Sequence, residues 1–192
     1  MEGPQRESVD GADKSLAESP VAERIGYIIM SVGFRIGYGY DAHRLKKGRR
    51  CILCGVVVPC EFGPDGHSDA DVPLHALCDA LLGALALGDI GEHFPDSDER
   101  WQNADSLGLL KSVYKMIREH GYALGNADIT IILESPRLSR YIGQMRASVA
   151  AALETDISVV SVKATTEERM GFTGDGTGIA ATAVVLIEEL DK

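Results

Sequence analysis

At 192 residues and 45% apolar content, the chain can bury one ordinary globular core, and no apolar run nears the ~20 residues of a membrane helix. Nineteen basic against twenty-nine acidic residues give a formal charge of −10, which repels nucleic acid and other polyanions at long range. An anionic ligand would have to be held locally, by metal ions, backbone N–H groups or a few placed cations.

Residues 1–33 are polar and acidic, with no apolar period long enough to pack. They resemble neither a secretory signal nor a basic transit peptide. The reading is a disordered extension that carries none of the chemistry, or a natural start at Met30. "FRIGYGY" from Phe34 reads as a strand, followed at once by Asp41 and His43. On an extended segment those two side chains point the same way, so an oxygen and a nitrogen can be presented together. "CILCGVVV" (51–58) reads as a β-branched strand. Cys51, Cys54, Cys60 and Cys78 are too few for a disulfide scaffold, and the C-x-x-C reads as small apolar strand residues rather than a zinc or redox motif.

Residues 71–88, "DVPLHALCDALLGALALG", read as a helix with Asp69 capping its start and Pro73 in its first turn. His75 interrupts its aliphatic run, with Asp71 and Asp79 one turn on either side and able to orient the imidazole. Asp41, His43 and His75 would give three ligands and an open fourth position, as in a catalytic zinc site. The bland alternatives are a polar strand end and a satisfied core histidine. His67 and Ser68 precede the helix, whose N-terminal amides suit either an anion or simple capping. A second helix spans about Ser106 to His120 and stops at Gly121.

"ADITIILES" reads as a strand, "SRYIGQMRASVAAALE" as a helix, "SVVSVKATT" as a strand and "GIAATAVVLIEEL" as the last strand. Alternating helices and β-branched strands imply an α+β or α/β fold, with helices layered on one sheet. In "VKATTEERMGFTG" the hydroxyls and carboxylates fit phosphate and Mg²⁺, or a helix start capped by Thr165 or Thr166 with Glu167 and Glu168 in its first turn.

Together "RIGYGYDAHRL", "GHSDADVPLHALCDALLGALALGDIGEHFPDSD", "GYALGNADITII" and "VKATTEERMGFTG" resemble the 2-C-methyl-D-erythritol 2,4-cyclodiphosphate synthase family of non-mevalonate isoprenoid biosynthesis, over about Phe34 to Leu190. The resemblance implies one domain, 34–192, with a single mixed sheet carrying helices on one face. It also implies a homotrimer whose sheets line a central cavity and whose active sites lie between subunits. The implied enzyme is a lyase that converts 4-diphosphocytidyl-2-C-methyl-D-erythritol 2-phosphate into the cyclic diphosphate and CMP. Its partners would be that small molecule and copies of itself, with no nucleic acid and no membrane, in the cytoplasm of a bacterium or in a plastid-type organelle. Within the same residues, a zinc phosphoesterase for another nucleotide diphosphate and a non-catalytic trimeric binding protein are the competing readings.

Residue by residue, the family's zinc ligands fall on Asp41, His43 and His75, and its Mg²⁺ (or Mn²⁺) carboxylate on Glu168. Its phosphate contacts fall on His67, Ser68 and Thr166, and its cytidine pocket on Leu133, Pro136, Arg137, Leu138, Ala164 and Thr165. The methylerythritol part falls near Asp89, Gly91 and Asp96, with Phe172 among the substrate contacts and the loop 90–105 closing over the substrate. Relatives often carry an arginine in the glycine-rich loop, facing the trimer axis where an isoprenoid diphosphate can sit; Asp175 stands here and would repel one.

Overall fold

The computed structural model describes residues 33–95, 97–101 and 104–190. The acidic extension therefore lies outside the described residues, apart from Gly33, whose carbonyl already accepts the N–H of Glu189 at 2.8 Å. The first half of the described chain holds β1 (Phe34–Lys47), β2 (Cys51–Leu53), β3 (Val56–Val58), β4 (Phe62–Pro64), α1 (Val72–Ala84) and α2 (Ile90–His93). The second half holds α3 (Ser106–Glu119), β5 (Tyr122–Ile132), α4 (Ile142–Ala152), β6 (Val160–Thr165), α5 (Gly171–Gly174) and β7 (Gly178–Glu189).

The main sheet has the order β4-β1-β7-β5-β6. β1 runs antiparallel to β4 and β7, and β5 antiparallel to β7, while β5 and β6 are parallel. A parallel pair needs a crossover, and α4 supplies it. Helices layered on a sheet are the architecture read from the alternating pattern, and the sheet's mixed character is the one the resemblance implies.

α1 is apolar almost all round because it is covered on all sides: it lies on β1 and β7 and is flanked by α3. Leu74, Leu77, Leu81 and Leu82 are fully buried, each contributing roughly 1.5–3 kcal/mol. Two glycines let this helix approach the sheet. A Cβ on Gly37 would stand 1.7 Å from the Ala80 carbonyl oxygen, and one on Gly39 1.9 Å from that of Ala76. The odd positions of β1 therefore face α1, as glycines where the helix presses closest and as Asp41 and His43 farther along.

The even positions face away. Phe34, Ile36, Tyr38 and Tyr40 are exposed there, with Val184 of β7 also open. A patch of this size on one sheet face is unusual for a surface that stays in water.

Two local expectations need correcting. "CILCGVVV" is not one strand but a hairpin, β2–β3, turning at Cys54 and Gly55, with φ of 50° and 74°. Both signs are positive, as a two-residue turn of this kind requires. The cap of α1 is Asp71, not Asp69: its side chain accepts the Leu74 N–H, and the helix ends at Ala84. Asp71 is fully buried because it also accepts from Cys54 N at 2.8 Å and Gly55 N at 2.6 Å, tying the hairpin turn to the helix. α3 ends as expected at His120, with Gly121 at φ 82°.

Candidate functional site

β1 and the first turn of α1 bring Asp41, His43 and His75 together. Asp41 Oδ2 lies 3.2 Å from His43 Nε2 and 3.1 Å from His75 Nδ1. One ligand atom from each of the three falls within 4.8 Å of the others. Among the described residues this is the group able to share a metal ion. A carboxylate and two imidazoles suit a divalent transition metal. Burial alone would raise the Asp41 carboxyl, but when His43 and His75 are protonated their hydrogen bonds to it outweigh burial and hold the group well below the usual carboxylate range.

Each imidazole is anchored through the nitrogen that faces away from Asp41. His43 Nδ1 donates to the Asp65 carbonyl at 2.6 Å. The β1–β4 register, pairing Leu45 with Pro64, sets that carbonyl in place. His75 Nε2 lies 3.0 Å from Ser106 Oγ and 3.4 Å from Ser68 Oγ. The flanking carboxylates expected to orient His75 are engaged elsewhere. Asp71 holds the hairpin turn, and Asp79 accepts from Ile90 N at 2.8 Å, fixing the start of α2.

The cluster opens on a cleft of about 410 Å³ whose walls include His43, His75, His67, Ser68, Gly91 and Trp101. Arg49 stitches one wall, donating to the carbonyls of Pro64, Gly66 and Ser68 at 3.0–3.2 Å. His67 and Ser68, expected to contact phosphate, lie on this 66–68 loop along the cleft. At the start of α1 the Leu74 N–H is taken by the buried Asp71 carboxylate. Asp89 caps α2 through Glu92 N at 3.0 Å, so the 90–105 stretch contains ordered local structure. Asp96 lies outside the described residues.

A second cleft of about 530 Å³ gathers Leu133, Pro136, Arg137, Leu138, Ala164, Thr165 and Thr166. The end of β6 and the segment after β5 meet there because the two strands pair in register from Ala127–Val160 to Ile132–Thr165. Thr166 Oγ1 donates to Glu168 Oε1 at 3.2 Å. Glu168 and Arg169 both take left-handed backbone, φ 52° and 65°, which costs non-glycine residues about 1–3 kcal/mol each and recurs at functional sites. The segment is thus a strained turn, not the capped helix start that was the other reading. Glu168 is not part of the Asp41 cluster in the described chain. Phe172 lines a different hollow, beside His43, Thr177 and Gly178. Asp175 accepts from Thr177 N and Oγ1, which keeps its carboxyl below the usual range.

Sequence reasoning missed Ser106, Asp65, Arg49 and Trp101. Ser106 reads only as a helix start, and Asp65 acts through its carbonyl, which any residue would carry. No pattern marks either.

Residues 34–188 match the family model described as the YgbB family. The chain is 57% identical over 153 residues to 2-C-methyl-D-erythritol 2,4-cyclodiphosphate synthase of Vibrio vulnificus strain YJ016, covering 80% of this chain and 97% of that one. A solved structure of a 2C-methyl-D-erythritol-2,4-cyclodiphosphate synthase in a CDP-bound form superposes with a TM-score of 0.75 at 36% identity, covering 80% of this chain and all of the other. The bifunctional IspDF from Campylobacter jejuni superposes with a TM-score of 0.80 at 40% identity, over 82% of this chain and 43% of that longer protein. With its strand order, its Asp–His–His cluster and these likenesses in hand, the chain belongs to the YgbB family.

Proposed function

We propose that this chain converts 4-diphosphocytidyl-2-C-methyl-D-erythritol 2-phosphate into 2-C-methyl-D-erythritol 2,4-cyclodiphosphate and CMP. The observation that carries the reading is the convergence of Asp41, His43 and His75 at the rim of a cleft that also holds His67 and Ser68. The likeness to relatives named for this reaction gives the cluster its substrate.

The reaction moves one phosphoryl group within one molecule. An oxygen of the 2-phosphate attacks the β-phosphorus, a P–O bond forms, the bond to the bridging oxygen breaks, and CMP departs with that oxygen. The attacking group is an anion near neutral pH, so no general base is required, in keeping with a site built from ligands and donors rather than a Ser–His–Asp arrangement. The protein must hold two mutually repelling anionic groups in line, which positioning can favour by roughly 7–11 kcal/mol.

Asp41, His43 and His75 would hold zinc, which when bound supplies Lewis-acid polarisation of a phosphoryl oxygen. Glu168 would offer a carboxylate to Mg²⁺ or Mn²⁺ brought with the diphosphate, to offset its charge. His67, Ser68 and Thr166 fix remaining phosphate oxygens. The cleft around Leu133, Pro136, Arg137, Leu138, Ala164 and Thr165 receives the cytidine, a reading supported by the CDP-bound relative. Asp89, Gly91 and Asp96 would hold the methylerythritol part, and Phe172 would be a further substrate contact.

Metal cluster and nucleotide cleft are separate within one chain. The reading therefore includes a homotrimer in which neighbouring copies complete each site, with residues 34–192 as the catalytic domain. The open Phe34–Tyr40 face of the sheet supports it, since burying that face would return its apolar area to a core. Asp175 then leaves the cavity between the sheets hostile to a diphosphate. No helix of the described residues is long and apolar enough to cross a membrane.

The test is turnover of the purified protein, followed by CMP release and phosphorus-31 NMR. Two coupled signals of a cyclic diphosphate support the proposal. A hydrolysed product would indicate a phosphoesterase, and no CMP at all a binding protein, and either would overturn it.

A further inference from the structure

The environment of His75 shows how the metal cluster is held in readiness. Ser106 Oγ is fully buried and lies 3.0 Å from His75 Nε2. The same Oγ donates its one hydrogen to Asp69 Oδ1 in a short hydrogen bond, and the Ser106 backbone N–H donates to Asp69 Oδ2 at 3.2 Å. A hydroxyl has a single proton to give, so towards the imidazole Ser106 can only accept. A neutral His75 must then carry its proton on Nε2, which leaves Nδ1, 3.1 Å from Asp41 Oδ2, as the nitrogen whose lone pair is available to a metal ion between them. Ser68 Oγ, at 3.4 Å from Nε2, is the longer contact and already accepts the Ala70 N–H.

We propose that Asp69 and Ser106 form a carboxylate–hydroxyl relay that selects the His75 tautomer and so presets Nδ1 as the metal-binding atom. The two are positioning residues. They lie beyond the cluster and act through His75. Asp69 comes from the loop before α1, where its Oδ1 also accepts the N–H of the cap residue Asp71 at 3.4 Å; Ser106 opens α3. The Asp69 N–H donates to the Ala104 carbonyl at 3.2 Å, so the relay also fastens the end of the 90–105 loop to the metal site. His43 is oriented in the mirrored sense, with Nδ1 anchored on Asp65 O and Nε2 turned inward. Each imidazole is thereby committed to one nitrogen, opposite in the two residues. The relay matters because partners behind a ligating histidine keep it basic and correctly aimed, and their loss commonly lowers metal affinity 10–100-fold.

The inference rests on the metal-binding reading of the cluster, and the experiment separates the two. Ring nitrogens of nitrogen-15-labelled protein are observed with and without zinc, and zinc affinity is measured by chelator competition for the wild type, Ser106→Ala and Ser106→Thr. The expected wild-type spectrum shows a protected His75 Nε2 proton and metal on Nδ1. Ser106→Ala should lose that protection and bind zinc 10–100-fold more weakly, while Ser106→Thr, which restores the hydroxyl, should recover most of the affinity. Metal on Nε2 of His75, or a folded Ser106→Ala with wild-type affinity, would overturn the relay. If Ser106→Ala does not fold, the wild-type spectrum still decides. If the wild type takes up no zinc, the metal reading falls instead, and the relay is judged by whether the metal-free protein protects its His75 Nε2 proton.

Discussion

Replacing Gly39 by alanine tests how the fold places the site. The new Cβ would lie 1.9 Å from the Ala76 carbonyl oxygen, where real Cβ atoms essentially never come nearer than 3.0 Å. The difference is 1.1 Å, and the atom in the way is helix backbone, so no rotamer change relieves it. α1 must retreat from β1, and His75 precedes Ala76 on the same turn. Its Nδ1 then leaves Asp41 by a distance several times the ~0.2 Å tolerance of a metal site. We expect an overpacking cost at the upper end of about 1–3 kcal/mol and a loss of zinc affinity on the order of 100-fold. Without the close approach, alanine in a strand should stabilise by about 0.5–1 kcal/mol, so even the sign is decisive. Urea unfolding of the metal-free protein and chelator competition read the two effects. Gly37→Ala, which meets Ala80 one turn farther from His75, should destabilise comparably but spare more of the metal affinity. A Gly39→Ala protein that is more stable than wild type and binds zinc normally would refute the reasoning.

Burial pushes Asp71 up to about 7, against the opposing N–H donors of Gly55 and Cys54. A raised folded value means its contribution to stability is full below about pH 3.8 and lost as pH rises through 7, with a slope of up to ~1.4 kcal/mol per pH unit. The wild-type-minus-Asp71→Asn difference in unfolding free energy should therefore fall between pH 4 and 7; a flat or rising difference contradicts this. Glu168→Gln should leave zinc content unchanged while raising the Mg²⁺ concentration needed for half-maximal CMP release, and an unaltered Mg²⁺ titration would count against that role. Cys60 is exposed while Cys51, Cys54 and Cys78 are buried, so a thiol reagent should label one cysteine in the native protein and four after unfolding. Rapid native labelling of more than one would show that the β2–β3 region opens.

Much of the fold was legible because the patterns are strong. The first long helix, read over 71–88 and found at Val72–Ala84, the β5 and β7 runs and the Gly121 stop follow from period, branching and glycine chemistry. Asp41 and His43 were legible as a pair because strand geometry dictates which side i and i+2 share. The β2–β3 turn was missed although Gly55 marks it, since the flanking Cys and Val residues read as one unbroken strand. The cap was misplaced because Asp69 and Asp71 are both good cap residues; tertiary contacts decide between them, sending Asp69 to Ser106 and Asp71 to the hairpin. His75's true partners come from thirty residues away in either direction, so local spacing pointed wrongly to Asp71 and Asp79.

The most direct measurement is the metal content of the purified protein and of His75→Ala, each assayed alongside for CMP release. The account predicts one zinc per wild-type chain, and neither bound zinc nor turnover in His75→Ala with its fold intact. Undiminished CMP release from a zinc-free His75→Ala protein would contradict it.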